Sequence, residues 1–305
     1  MVNNNFDNCT SFHIDNGAFM GRLVRLDKVV NTILSRHQYP RQVSAVVAES
    51  TALGALLSST IKYNGLFTLQ TQSSGPVTMV VVDVTSEGRI RACANVNQEM
   101  LDKALELRKS DTDELLAAPH YMGNGHLAFT VDQGPETDLY QGIVDLQGKN
   151  LSECALRYFK QSEQIETYLQ LFLQAPDKDG ESWKAAGILL QKLPDNGGKI
   201  SDDTEALNEA WNEAVIFAQS LKAEEVFDEK LSAEEILTRL FHANKLEITK
   251  TKEYHFGCRC DKLFNTLHAM ADKDIEDMCE NNKITATCHF CGEVYSFDKG
   301  ELLSH

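Results

Sequence analysis

Apolar and polar positions alternate over 12–26, broken by the turn residues Asp15, Asn16 and Gly17, and this predicts extended chain around a turn. The period then changes to that of a helix. Val29, Val30, Ile33 and Leu34 share one face, Pro40 punctuates, and Val43, Val46, Val47, Leu53, Leu56 and Leu57 carry the pattern towards Lys62. Two core helices, antiparallel across Pro40, account for this. Three strands are predicted next, over 66–72, 77–85 and 89–96, because SSGP and SEG between them hold the glycines and proline of tight turns. The acidic stretch 98–118 follows neither period cleanly. HLAFTVDQ and YQGIVDL read as two more strands joined across GPET, and a helix over 151–164 places Leu151, Cys154, Ala155, Tyr158 and Phe159 on one face. TYLQLFLQA and WKAAGILLQKLP then close the unit as strands.

Strands joined by hairpins and grouped around local helices imply an α+β fold with largely antiparallel sheets and packed helices, here over 1–200. DNGGKISDDT (195–204) reads as a connection, and two helical patterns follow over 205–226 and 232–243, so 201–254 is expected to be a helical linker. That linker is acidic. Between Ser201 and Glu235 there are eleven Asp or Glu against two Lys, so its helices depend on packing through Trp211, Val215, Phe217, Leu221, Leu237, Leu240 and Phe241. The remaining 255–305 reads as a small module. The strand-like run LEITKTKEYHF enters it, Leu263, Phe264, Leu267, Met270, Ile275 and Met278 look helical, and KITAT and VYSF form a small hairpin. So few apolar residues need an additional source of stability.

The formal net charge of −16 over 305 residues sets up a field that repels phosphate backbones and anionic lipid surfaces, so neither nucleic acid nor membrane is an expected partner. MVNNNFDNCTSFHID lacks a basic n-region and an apolar h-region, and no run of about 18 apolar residues occurs, so a cytoplasmic location is expected. In that reducing setting cysteines are thiols or metal ligands before they are static disulfides. GNGH at 123–126 lacks the spacing of a dinucleotide fingerprint and G-x-S-x-G is absent. No catalytic residue is assigned, and no enzyme is expected.

The chemistry concentrates at FGCRC and TCHFCG, where Cys258 and Cys260 are separated from Cys288 and Cys291 by 27 residues. Two such pairs can supply four thiolates to one tetrahedral zinc ion, and Gly292 permits the φ > 0 turn that follows a C-x-x-C. Each pair can also close on itself, and the one-residue gap gives a small, strained ring of the labile kind. Spacing leaves open a static zinc clip and a redox switch. The other cysteines read as structural: Cys154 as core, Cys93 as a half-buried strand residue, Cys279 as a small apolar residue beside Met278, and Cys9 as part of a polar terminus open to adventitious oxidation. His289, inside the C-x-x-C turn, reads as exposed surface.

GRLVRLD at 21–27, the run 63–91, GHLAFTVDQG at 125–134, YQGIV at 140–144, YFKQSEQ at 158–164, AAGILLQKLP at 185–194 and the two cysteine motifs resemble the redox-regulated heat-shock protein 33 chaperones, or 33 kDa chaperonins, along almost the whole chain. The resemblance implies an ATP-independent holdase with an N-terminal α+β domain, a helical linker and a zinc module. It implies that Cys258, Cys260, Cys288 and Cys291 hold one Zn2+ when reduced, with the chaperone silent. It further implies that hypochlorite, or peroxide with unfolding stress, closes Cys258–Cys260 and Cys288–Cys291, releases the metal and unfolds the linker. The active form would then dimerise, hold unfolding client proteins, and pass them on with the help of thiol reductants and ATP-dependent foldases. Cys279, inside the module, departs from the family pattern. The competing reading is an enzyme or binding protein whose four-cysteine zinc module is purely structural.

Overall fold

The computed structural model describes residues 6–107, 118–134, 137–177, 181–193 and 204–303. Strands β1 (Asn8–Ile14) and β2 (Phe19–Leu26) form a hairpin, followed by α1 (Lys28–Ser35) and α2 (Arg41–Ser58). The meander β3 (Leu66–Ser73), β4 (Val77–Thr85) and β5 (Arg89–Val96) leads through α3 (Gln98–Glu106) and α4 (Pro119–Met122) into β6 (Gly125–Asp132) and β7 (Tyr140–Asp145). Then come α5 (Leu151–Tyr158), β8 (Thr167–Gln174) and β9 (Lys184–Lys192). After them lie α6 (Thr204–Ser220), α7 (Ala223–Val226), α8 (Ala233–Phe241), β10 (Glu247–Glu253) and β11 (His255–Phe256). The chain ends in α9 (Asp261–His268), α10 (Asp272–Asp277), β12 (Lys283–Thr287), β13 (Val294–Asp298) and α11 (Lys299–Leu302).

The strands form a five-stranded sheet in the order β10-β1-β2-β9-β8, a six-stranded sheet β11-β5-β4-β3-β6-β7, and the hairpin β12-β13. Among the described residues every strand pairing is antiparallel except that of β11 with β5. The expected α+β class with antiparallel sheets is therefore what the chain adopts.

α2 lies between the two sheets, and from Val43 onward its apolar and small residues, with every position but Glu49 buried, make it a core helix closed in on nearly all sides. Gly54 allows the close approach: a Cβ there would sit 2.8 Å from the Val82 side chain. The alternation in β2 and β9 gives the five-stranded sheet two apolar faces. Val24, Leu26, Ala185 and Leu189 join the core around α2, whereas Phe19, Leu23, Ala186, Ile188 and Leu190 face the other way. That second face is covered by α6, α7 and α8 through Ala214, Ala218, Leu221, Val226, Phe227, Leu231, Ile236, Leu237 and Phe241. Phe12 packs on Phe241 at 5.5 Å between ring centroids and Phe19 on Trp211 at 5.3 Å. Gly21 makes room for the first pair, because a Cβ would lie 2.1 Å from the Phe12 ring.

Several local expectations are corrected. Cys9 is not in a loose terminus: β1 begins at Asn8, between β2 and β10, and Cys9 is 1 % exposed, its thiol pushed up by burial. Cys93 is buried rather than half-buried. The helix expected over 151–164 is α-helical to Tyr158 and continues as a wider π-turn from Phe159 to Glu163, ended by Gln164 in the left-handed region. The pattern over 205–226 is two helices, because the chain breaks between Ser220 and Ala223. Of 98–118, the first part is α3 and residues 108–117 lie outside the described residues, as does most of the connection 195–204. None of the described helices is long and apolar enough to cross a membrane.

Phe241→Ala should cost about 3–5 kcal/mol, the range for truncating a buried aromatic, because it removes a fully buried ring that packs on Phe12. Urea unfolding followed by tryptophan fluorescence, to which Trp211 contributes, measures it. A cost under about 1 kcal/mol would show that α8 is not a structural cover of this sheet.

Candidate metal centre

β10 pairs with β1 at the edge of one sheet, and just beyond it β11 pairs with β5 at the edge of the other. Tyr254, between them, is buried and donates its hydroxyl to Ala55 O at 3.0 Å. This crossing delivers Cys258 and Cys260 to the outer end of β5. The second pair arrives on the turn between β12 and β13, where Gly292 at φ 70° and the Gly292 N–H to Cys288 O bond of 2.8 Å make the tight C-x-x-C loop. The third core beneath them is small: Leu267, Ile275, Ile284 and Leu302 are its buried members, with Phe264, Met270, Phe297 and Cys279 packed on it.

All four sequence-selected sulfurs lie within 4.8 Å of one another. Cys258 and Cys260 Sγ are 3.1 Å apart, Cys260 and Cys291 Sγ 3.4 Å, and Cys258 and Cys288 Sγ 3.5 Å. A tetrahedral ion with metal–sulfur bonds of about 2.3 Å needs sulfurs about 3.8 Å apart, so this donor set fits one small ion of the kind thiolates prefer. As free thiols they share protons unequally. Burial works against ionisation of Cys288, but main-chain N–H groups of Phe290 and Cys291 and neighbouring thiols donate to it and bring it down to about 7. Burial, with shared thiol hydrogen bonds, pushes Cys291 up to about 11 and Cys258 further up. Cys258 and Cys291 therefore hold their protons at neutral pH until a cation replaces them.

The N-terminal sheet and the α1–α2 corner reach into this cluster. Arg91, on β5, donates to Cys258 Sγ at 3.8 Å, pairs with Asp83 at 2.6 Å, and lies 3.9 Å from the Phe290 ring centroid. Burial disfavours its charge, but Asp83 and Cys258 together more than offset this and hold the guanidinium above its ordinary value. Arg36 pairs with Glu293 at 2.7 Å, and His37 Nε2 lies 3.3 Å from Phe290 O. A Cβ on Gly292 would lie 3.0 Å from Arg36 O, so Gly292 serves the docking as well as the loop. These partners were not among the residues selected from sequence. The alternation in RIRAC places Arg91 and Cys93 on one side of β5, but nothing local says what that side faces. His289 is exposed and Cys154 is core, as expected.

The chain matches the model of the Hsp33 protein family over residues 7–298. It belongs to the Hsp33 family. The 33 kDa chaperonin of Caulobacter vibrioides strain NA1000 / CB15N is 32 % identical over 296 residues, covering 96 % of this chain and 95 % of the relative. That of Pseudomonas fluorescens strain SBW25 is 34 % identical over 295 residues, covering 95 % and 90 %. The crystal structure of the Thermotoga maritima 33 kDa chaperonin, at 22 % identity, superposes with a TM-score of 0.78 over 97 % of this chain and 96 % of that one, which shows a shared fold. As an Hsp33 protein this chain is a chaperone, and its expected partners are unfolded proteins.

Arg91→Met keeps the bulk of the side chain but strands Asp83, which is 5 % exposed, without its cation. The expected cost is about 3–5 kcal/mol in urea unfolding, with faster hydrogen exchange over 255–258 and 288–292. Unchanged exchange in those segments would show that Arg91 does not dock the cysteine cluster.

Proposed function

We propose that this chain is an ATP-independent holdase, switched by oxidation of Cys258, Cys260, Cys288 and Cys291, which bind one Zn2+ in the reduced, silent state. The observation that carries the reading is the position of the four sulfurs. They sit at a seam, on a module with four buried apolar side chains in its core, against the strand that leads back to the helices covering the five-stranded sheet. When bound, zinc would supply cross-linking: structural zinc is worth on the order of 10 kcal/mol, about as much as the whole stability of an ordinary domain.

In the proposed activation, Cys258 closes on Cys260 and Cys288 on Cys291. Each pair of thiolates loses two electrons to one hypochlorite, which together with one water leaves as chloride and two hydroxides. Closed pairs would leave no thiolates to hold an ion, so the module would lose its cross-link and melt, and α6–α8 would lose their anchorage. Chain divisions near 200 and 254, separating chaperone domain, linker and zinc module, belong to this proposal, with β10 tying the end of the linker to the first domain. So do dimerisation of the oxidised form, return to the silent state by cellular thiol reductants, hand-over to ATP-dependent foldases, and action in the cytoplasm. Client capture needs no bond-making group, and no catalytic residue is proposed.

Treatment with hypochlorite should form two disulfides, release one equivalent of zinc to a chromophoric chelator, raise hydrogen exchange over 204–241, and suppress light scattering by a heat-unfolding enzyme. Cys291→Ser should lower zinc content and loosen the same segment without oxidant. Zinc kept through oxidation, with 204–241 equally protected before and after, would sink the proposal in favour of a purely structural metal site.

A further inference from the structure

Arg25 is 0 % exposed and lies on the face of β2 that α6–α8 cover, yet among the described residues each of its hydrogen bonds goes to a main-chain carbonyl. Its Nε donates to Val226 O at 2.8 Å, Nη1 to Leu231 O at 2.6 Å and Nη2 to Asp228 O at 2.7 Å. Val226 is the last residue of α7, where carbonyls have no partner within the helix and the dipole favours a cation. The guanidinium also lies 4.1 Å from the Phe6 ring centroid. Beside it Lys184 pairs with Glu229 at 2.7 Å and lies 5.0 Å from the same ring. Burial draws Arg25 down to about 10, which leaves it charged at neutral pH.

A planar fork of donors that reads only carbonyl oxygens recognises no sequence. It recognises backbone, in this case the end of a helical turn flanked by Val226, Phe227 and Leu231 packed on the sheet. If the cover leaves, the same fork stands on an apolar face with its donors turned to water, free to exchange that water for another set of carbonyls of the same spacing. We infer that Arg25 is a main-chain carbonyl grip. Its second occupant is a turn or frayed helix end, flanked by apolar side chains, of an unfolding client. This rests on the holdase reading and names the surface and the chemical feature by which clients of unrelated sequence are held. The segment 223–231 is the internal stand-in for that client: it shuts the grip in the silent state and vacates it in the active one.

The test uses the full chain as wild type, Arg25→Met and Arg25→Lys, oxidised and freed of zinc. Binding of fluorescently labelled, permanently unfolded α-lactalbumin is measured by anisotropy. Hydrogen exchange of 24–26 and 184–187 is followed with and without that client. Arg25→Met should bind about tenfold more weakly and Arg25→Lys, which keeps charge but not the fork, should fall between. Wild type should gain protection at 24–26 on client binding. In the reduced state Arg25→Met should show faster exchange over 223–231. Equal affinities in the three proteins, or client bound without protection at 24–26, overturn the grip alone. A wild type that binds no client overturns the holdase reading with it. If Arg25→Met does not fold, Arg25→Lys decides by the same readouts.

Discussion

A sheet with two apolar faces needs two covers, and much of this molecule follows from how the second cover is supplied. One face of the five-stranded sheet is closed by α2, which is contiguous with the fold and buried on nearly all sides. The other presents Phe12, Phe19, Leu23, Ile188 and Leu190 to helices that come from later in the chain and carry a dense acidic surface. Burial of those apolar groups, at about 25 cal/mol per Å2, has to hold three helices that self-repulsion works against. The cover is therefore attached chiefly by one face, and that face belongs equally to the sheet.

In the proposed switch, what determines whether the cover stays lies at its far end. The chain leaves α8, adds β10 to the first sheet, crosses at Tyr254 into β11 on the second, and reaches Cys258 within two residues of that strand. No slack separates the cysteine cluster from the strand that terminates the cover. Arg91 and the Arg36–His37 corner fasten the cluster to the opposite sheet, so a change in sulfur bonding acts directly on the edge strands of both. In the proposed switch this short path, in place of a distant relay, is what couples thiol chemistry to an apolar surface.

Much of this was legible in sequence where the signal is local. The apolar runs GRLVRL and AAGILLQK read as strands, and the C-x-C and C-x-x-C spacings identified residues whose sulfurs do converge. Pairings over long separations were not legible. NCTSFHI begins with polar residues, so Cys9 read as terminus, and its burial comes from β10, more than two hundred residues away. The break between α6 and α7 carries no proline or glycine, and the carbonyls beyond it are answered by Arg25 from the far side of the fold. Arg91 and Arg25 both sit in strand patterns where a charge reads as solvent-facing. Only tertiary context distinguishes a surface arginine from one that grips carbonyls or a sulfur cluster.

The acidity of the cover then has a definite physical use. α8 begins with a complete capping box, Ser232 Oγ accepting from Glu235 N at 3.1 Å and Ser232 N donating to Glu235 Oε2 at 2.7 Å, so the helix start is locally specified. Local specification of this kind contributes only about 1 kcal/mol and cannot hold a segment this charged without its apolar face buried. Once detached, such a segment would resist collapsing back on itself, because like charges at helical spacing repel and hydrate well. A neutral cover would re-dock or aggregate as readily as it left. In the proposed switch, an acidic one would leave the sheet face open and would return only when the cysteine cluster again fixes its far end.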